Sequence, residues 1–322
     1  MGEKKNIKIV VNDPILTRYF EKAPINLIDA GARSGLIDPW TNVKRGNLSV
    51  IGFEPDKEEY DSLLKLDQKN VKYFPWALWS RKEKLNLYVA HEPSTSSMFP
   101  ANLEILENFS AWAYSCRTTK SVIQVDCISI DEIVDKEKLD VDFIKIDTHG
   151  AEYEILLGAN STLDKVVGLQ VEVWTKEIHK GQKLLGDVVK YLEDKNFRVF
   201  EIQPFGKWYR DTKKKIVQEC ESELVICDVL LFKEPLFDNT QDDFIKTIKL
   251  ACIAELYGYP QYSIFLINKL MSSCSDVEEL KQMKEIIVNN WSVRNDKISW
   301  KRFLKKVIED LFNIEIYKKY SK

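Results

Sequence analysis

Three histidines in 322 residues, His91, His149 and His179, form no close pair, which excludes a histidine-rich zinc site of the usual spacing. The six cysteines, Cys116, Cys127, Cys220, Cys227, Cys252 and Cys274, contain no C-x-x-C pair and are too sparse for a disulfide scaffold. Reduced, buried thiols are the expectation. The chain carries little net charge, since 47 basic against 50 acidic residues leave a formal −3. Without a basic excess there is no footprint of the kind that drives nucleic-acid binding, and nucleic acid is not expected as a partner. No apolar run reaches membrane-spanning length, and the opening Met-Gly-Glu-Lys-Lys-Asn lacks the apolar core of a signal peptide. A soluble, cytoplasmic protein with no membrane partner follows as the expectation. Internal repeats and low-complexity tracts are also missing.

What is present is half of a nucleotide site. The apolar run Ile25-Asn26-Leu27-Ile28 is followed by Asp29-Ala30-Gly31-Ala32-Arg33-Ser34-Gly35, and the next apolar run ends at Glu54. In a βαβ unit, turn glycines let the backbone approach a ligand and leave helix N-terminal amides free. An acid about twenty residues on accepts hydrogen bonds from ribose hydroxyls. The acid before the first glycine separates the ligands. A carboxylate at Asp29 would repel the pyrophosphate of a dinucleotide held at a helix N-terminus. S-adenosylmethionine has no phosphate and carries a sulfonium and an amino group, both cationic, so Asp29 suits it.

The periodicities predict buried parallel strands at 25–30 and 48–53 joined by a helical crossover, and a third strand over 71–76. Leu85 to Val89 alternates like a half-exposed antiparallel strand and precedes the serine-rich loop Ser94-Thr95-Ser96-Ser97. A stretch over about 94–120 is expected to cover the cleft as a lid. Further strands are expected at 141–147, 166–174, 198–202 and 223–232, with the last two pairing antiparallel, and helices at 150–159 and 184–193. From about Pro235 the pattern turns helical, with Phe244, Ile248, Ala251, Cys252 and Leu256, then Leu280, Met283, Ile286 and Ile287, at helical spacing and Ser275-Asp276 as a break. The chain is therefore read as an α/β domain over 1–234 and a helical appendage of about four helices over 235–322, which leaves a homo-oligomer through the C-terminal helices open.

Asp-x-Gly-Ala-x-x-Gly at 29–35, Phe53-Glu54-Pro55, Trp76-Ala77-Leu78, Ser96-Ser97 and Phe143-Ile144-Lys145-Ile146-Asp147-Thr148-His149-Gly150-Ala151-Glu152 occur in this order. With Val125-Asp126, Ile130-Asp131, Gly158-Ala159 and the closing Asp228 to Phe232, the chain resembles the FkbM family of methyltransferases over roughly residues 20 to 233. The helical tail lies outside the resemblance. The resemblance implies a Rossmann-like class I methyltransferase fold, a mostly parallel seven-stranded sheet with one antiparallel strand. It also implies S-adenosylmethionine as donor and O-methylation of a hydroxyl on a glycan or small-molecule acceptor. Carried onto this sequence, Asp29, Gly31, Ala32 and Gly35 surround the methionine part, Glu54 holds the ribose, and Trp76 and Ala77 lie where the adenine binds.

A sulfonium methyl is already electrophilic, so the protein must supply in-line positioning and a base for the acceptor proton. Asp147 closes a strand at the edge where open α/β sheets bind ligands, and capping the helix at 150–159 is its structural alternative. His149 stands where the family usually has a glutamate; imidazole titrates in a range suited to a base, or the change marks a different acceptor. Glu172, inside an apolar strand, needs a partner or a ligand. These three are the catalytic candidates. A divalent metal on the carboxylates is a minority reading, and no metal is assigned. Ser96, Ser97 and Trp112 are the acceptor-side candidates. Two rivals remain from the sequence: a nicotinamide or nucleotide-sugar dehydrogenase on the same βαβ unit, and a catalytically silent binding or assembly protein whose helical tail makes the contacts.

Overall fold

The computed structural model describes residues 9–20, 23–66, 68, 70–206, 208–211, 222–235, 237, 240–273 and 278–292. The chain divides into two compact units, Tyr19–Asp238 and Met1–Arg18 with Asn239–Lys322. The described residues 9–18 thus fall in the same unit as the helices Gln241–Leu256 and Pro260–Ser273.

In chain order the elements are α1 (Pro14–Phe20), β1 (Ile25–Ala30), β2 (Leu48–Phe53), α2 (Lys57–Leu63), β3 (Val71–Phe74), β4 (Ala77–Leu78) and β5 (Glu83–Ala90). Next come α3 (Leu103–Leu106), α4 (Ala111–Arg117), β6 (Thr119–Ile128), α5 (Ile130–Glu137), β7 (Phe143–Ile146), α6 (Glu152–Leu157) and β8 (Gly168–Trp174). The series ends with α7 (Leu185–Asp194), β9 (Phe197–Pro204), β10 (Ile226–Lys233), α8 (Gln241–Leu256) and α9 (Pro260–Ser273).

The α/β unit is built on a seven-stranded sheet of order β3-β2-β1-β7-β8-β10-β9. β1, β2, β3, β7 and β8 run parallel, and β10 runs antiparallel to both of its neighbours. This is the mostly parallel sheet with one reversed strand that the sequence implied. The central strands are covered on both faces, so they read as continuous apolar runs rather than alternating ones. All four residues of β7 are buried. On one face Ile144, Ile146, Leu169 and Val171 join Ile28, Phe53, Ile155, Leu192 and Val229 in the main core. β9, at the edge, exposes most of its length.

Two features differ from the sequence expectation. No α-helix crosses between β1 and β2; among the described residues the segment holds only the 3-10 turns Trp40–Asn42 and Arg45–Asn47. Gly31, Ser34 and Gly35 all have positive φ, and Pro39 removes a backbone donor, so the helix the glycine turn would have opened cannot start there. The first helix near the turn is α2 instead, whose N-cap Asp56 accepts the N–H groups of Glu58 and Glu59 at 2.9 and 3.2 Å. The second difference is a separate three-stranded sheet, β4-β6-β5. Its centre, β6, is largely exposed over its first half, so no apolar pattern announced its full length.

In the other unit, α8 and α9 are helical, as are residues 278–292. Glu255 ties this unit together, accepting from the Val10 N–H at 3.2 Å and from Trp291 Nε1 at 3.1 Å. Phe244, Ile248, Ala251, Cys252 and Leu256 all lie on α8, and Leu280, Met283, Ile286 and Ile287 on the helical stretch 278–292. The expected break at Ser275-Asp276 lies outside the described residues.

Candidate active site

The carboxyl ends of β1, β2, β7 and β8 open into a cavity of about 540 Å³, within the range of small-molecule sites. The β1–β3 side contributes Gly31, Arg33, Ser34, Gly35, Glu54, Trp76 and Ala77. The β7–β8 side contributes Lys145, Asp147, His149 and Glu172, and the segment between β5 and β6 contributes Ser94, Ser96, Trp112 and Arg117.

Strand register places the polar groups. Asp29 on β1 pairs with Lys145 on β7, which pairs with Gln170 on β8. Because side chains alternate faces, Asp147 and Glu172, two residues further along, emerge on that same face at the cavity. Lys145 Nζ lies 3.2 Å from Asp29 Oδ1 and 3.4 Å from Asp147 Oδ2. Burial alone would discharge this lysine, but the two carboxylates outweigh it and hold it protonated. Burial likewise acts to raise Asp147, and the neighbouring Lys145 and His149 pull it below the ordinary range instead.

The turn after β7 is shaped by two close approaches. A Cβ on Gly31, whose φ is +82°, would sit 2.0 Å from the Asp147 carbonyl oxygen, so only glycine lets the β1 turn meet the end of β7. His149 itself has a φ of +53°, with its carbonyl accepting from Ser97 Oγ at 2.6 Å. Glu152 closes the turn by accepting from the N–H and hydroxyl of Thr148, at 3.1 and 3.0 Å, and from the Gly150 N–H at 2.9 Å. Glu152 therefore does the bonding that Asp147 was expected to do as a helix cap; α6 has no side-chain cap at Ala151.

His149 Nδ1 lies 3.3 Å from Glu172 Oε1. Neither atom has an aligned hydrogen-bond partner, and both are buried. Burial lowers the imidazole below its ordinary value against the pull of Asp147, leaving it neutral near pH 7. Burial, followed by Asp147, Glu152 and Asp228, pushes Glu172 well above the usual carboxylate range. One ligand atom each from Asp147, His149 and Glu172 falls within 4.8 Å of the others, a spacing compatible with a divalent cation. Across the cavity, burial drives Glu54 to about 7, while its Oε1 accepts the Asp56 N–H at 2.9 Å.

Of the residues nominated from sequence, Gly31, Gly35, Glu54, Trp76, Ala77, Ser96, Trp112, Asp147, His149 and Glu172 line the cavity. Asp29, Ala32 and Ser97 do not; each is at most 2 % exposed and sits behind the wall. Asp29 reaches the cavity through its ion pair with Lys145. Sequence reasoning missed Lys145, whose signal was a lone lysine within an apolar strand, and Arg117, which had none.

A family model described as Methyltransferase FkbM domain matches residues 29–199, more than half of the chain. The chain belongs to the FkbM methyltransferase family. No curated protein matches it. Solved structures similar to the chain include a SAM-dependent methyltransferase from Aquifex aeolicus, at 16% identity and a TM-score of 0.32, covering 70% of this chain and 95% of that one. Another is the N-terminal domain of EvdMO1, determined in the presence of SAH and D-fucose, at 9% identity and a TM-score of 0.34, covering 72% and 84%. As an FkbM methyltransferase the protein takes its methyl group from S-adenosylmethionine, and the dehydrogenase and silent-assembly readings fall away. No described helix of this methyltransferase is long and apolar enough to cross a membrane.

Proposed function

We propose that the protein transfers the methyl group of S-adenosylmethionine to a hydroxyl of a glycan or small-molecule acceptor, with His149 as the general base. The observation that carries this reading is a half-buried imidazole on the cavity wall, set 3.3 Å from Glu172, whose desolvation favours the neutral form. Gly31 and Gly35 take the methionine part of the donor, Glu54 the ribose hydroxyls, and Trp76 and Ala77 the adenine. Asp29 supports the donor end indirectly by fixing Lys145. Ser96 and Trp112 serve the acceptor, while Ser97 holds the His149 backbone.

Bound in this cavity, S-adenosylmethionine would supply an electrophilic sulfonium methyl for in-line transfer to the acceptor oxygen, with neutral S-adenosylhomocysteine as the leaving group. His149 takes the hydroxyl proton; Glu172 Oε1 lies 3.3 Å from its Nδ1, and the anion that favours the charged imidazole is Asp147. Asp147 adds a fixed negative charge beside the forming imidazolium. We take the reaction to be metal-free, because the Lys145 ammonium already engages an Asp147 oxygen at 3.4 Å; turnover is expected to survive EDTA treatment. The four described cysteines are free thiols, which suits a cytoplasmic location.

The test is His149→Ala with tritiated S-adenosylmethionine and a panel of hydroxylated acceptors. Affinity for S-adenosylhomocysteine, read by calorimetry, should hold within about twofold while turnover falls by about a hundredfold or more. Full turnover in this variant would remove His149 as base and shift that role to Asp147.

A further inference from the structure

We infer that the acceptor carries a carboxylate, read by Arg117 on the cavity wall; the inference rests on reading this cavity as the methyl-acceptor site. Arg117 ends α4 and is 6% exposed, yet it lines the cavity. Its guanidinium stacks over Trp208 at 4.7 Å and lies 5.8 Å from the Trp174 ring. Stacking satisfies the faces of the group but not the N–H donors along its edge. One of them meets only the thiol of Cys116, at 3.1 Å, a weak acceptor, and Nε has no partner. No carboxylate among the described residues comes within ion-pair distance of it. A buried guanidinium with unspent donors is costly unless an anion completes it, and its planar fork matches a carboxylate.

Position assigns this anion to the acceptor rather than to the donor. Trp174 closes β8, two strands from β1, and adjacent strands lie about 4.8 Å apart. The donor residues Gly31, Gly35 and Glu54 belong to the ends of β1 and β2, so Arg117 stands on the far side of the cavity, beside Glu172 and His149. Charge selects among anions: Asp147, held ionised, shares this wall, so a singly charged carboxylate meets less repulsion there than a phosphate dianion. Trp112, 69% exposed and on the same short helix, adds an apolar face for the body of the ligand. Together they describe an acid with a body that can lie against Trp112; taken with the proposed glycan acceptor, this is an acid of the uronic-acid kind.

The experiment measures thermal unfolding of the full chain with saturating S-adenosylhomocysteine, titrated with glucuronate or galacturonate against glucose or galactose at matched ionic strength. The uronates should raise the melting temperature and the neutral sugars should not. Arg117→Met should weaken uronate binding by about tenfold or more, Arg117→Lys should weaken it less, and both should bind S-adenosylhomocysteine as the natural chain does. No uronate shift in the natural chain, an equal shift in Arg117→Met, or an equal shift with neutral sugars would overturn the inference. A tenfold loss of S-adenosylhomocysteine affinity in Arg117→Met would overturn it too, by giving the arginine to the donor's own carboxylate. Should Arg117→Met fail to fold, Arg117→Lys carries the same comparison. The readout is binding alone, so methylation found on nitrogen or sulfur would sink the O-methyl reading while leaving this result standing.

Discussion

Lys145 is the residue on which the site's charge turns. It is 5% exposed, in the middle of an apolar strand, and compensates Asp29 and Asp147 at once. Removing one member of a buried ion pair leaves the other charge stranded, which costs about 3 kcal/mol. Lys145→Met should therefore lower unfolding stability by about that amount in urea titration, whereas an exposed pair such as Lys57 with Asp61 should contribute far less. Glu172 shows the same physics with the opposite sign. As a carboxylate inside a strand it was conspicuous in sequence, because burial demands a partner. That the partner is His149, from the turn after the neighbouring strand, depends on β7 and β8 pairing in register. The carboxylate nearest the imidazole, at 3.3 Å, therefore comes from β8.

At the scale of elements, the glycine turn after β1 works differently from what its sequence implied. The pattern of Gly31 and Gly35 promised a helix N-terminus; the structure shows a chain that stays irregular up to β2. Local strain explains it, since three residues with positive φ within five positions cannot begin an α-helix. What Gly31 does is permit contact between the ends of β1 and β7. Gly31→Ala should cost about 2 kcal/mol or more, since it forces an alanine into a left-handed conformation and against the Asp147 carbonyl. Guanidinium unfolding measures that cost, and weaker S-adenosylhomocysteine binding in the same variant would tie it to the donor side. The expected lid over 94–120 is resolved into two short helices, α3 and α4, and the start of β6. Of these, α4 presents both Trp112 and Arg117 to the cavity. An arginine at a helix end gives no sequence signal, because most such residues point to solvent.

For the molecule as a whole, the cavity sets two buried groups with opposite tasks against each other. Glu54, raised to about 7 by burial, is the proposed ribose partner, and it accepts hydroxyl hydrogen bonds more strongly when ionised. Protonating it weakens that acceptance, so donor affinity should fall as pH falls through about 7. His149 shifts the other way: burial lowers it, so the neutral base persists below its ordinary range. The acid limb of kcat at saturating donor should accordingly lie below pH 6.5, while the donor KM rises as pH falls through about 7. A pH series of kcat and donor KM checks this; a kcat limb above 6.5 would contradict the buried-base assignment.

By itself the sequence determined the central strands of the large sheet, because short, largely apolar runs bounded by turn residues leave few alternatives, and β1 and β2 begin and end where their patterns did. It also determined the family, through the order of its motifs, and the chemical kind of the site, through acids placed at strand ends. Tertiary structure alone decided which of those acids face a ligand. Asp29, nominated as a donor contact, lies behind Lys145, because register sets the two opposite each other on β1 and β7. Tertiary structure likewise brought in Arg117, which lies 55 positions from Glu172 in the chain and shares its cavity only because α4 folds over the sheet edge. The physical reason is the same in both cases. Strand identity is written in local periodicity, whereas the neighbours of a side chain depend on pairings between segments far apart in sequence.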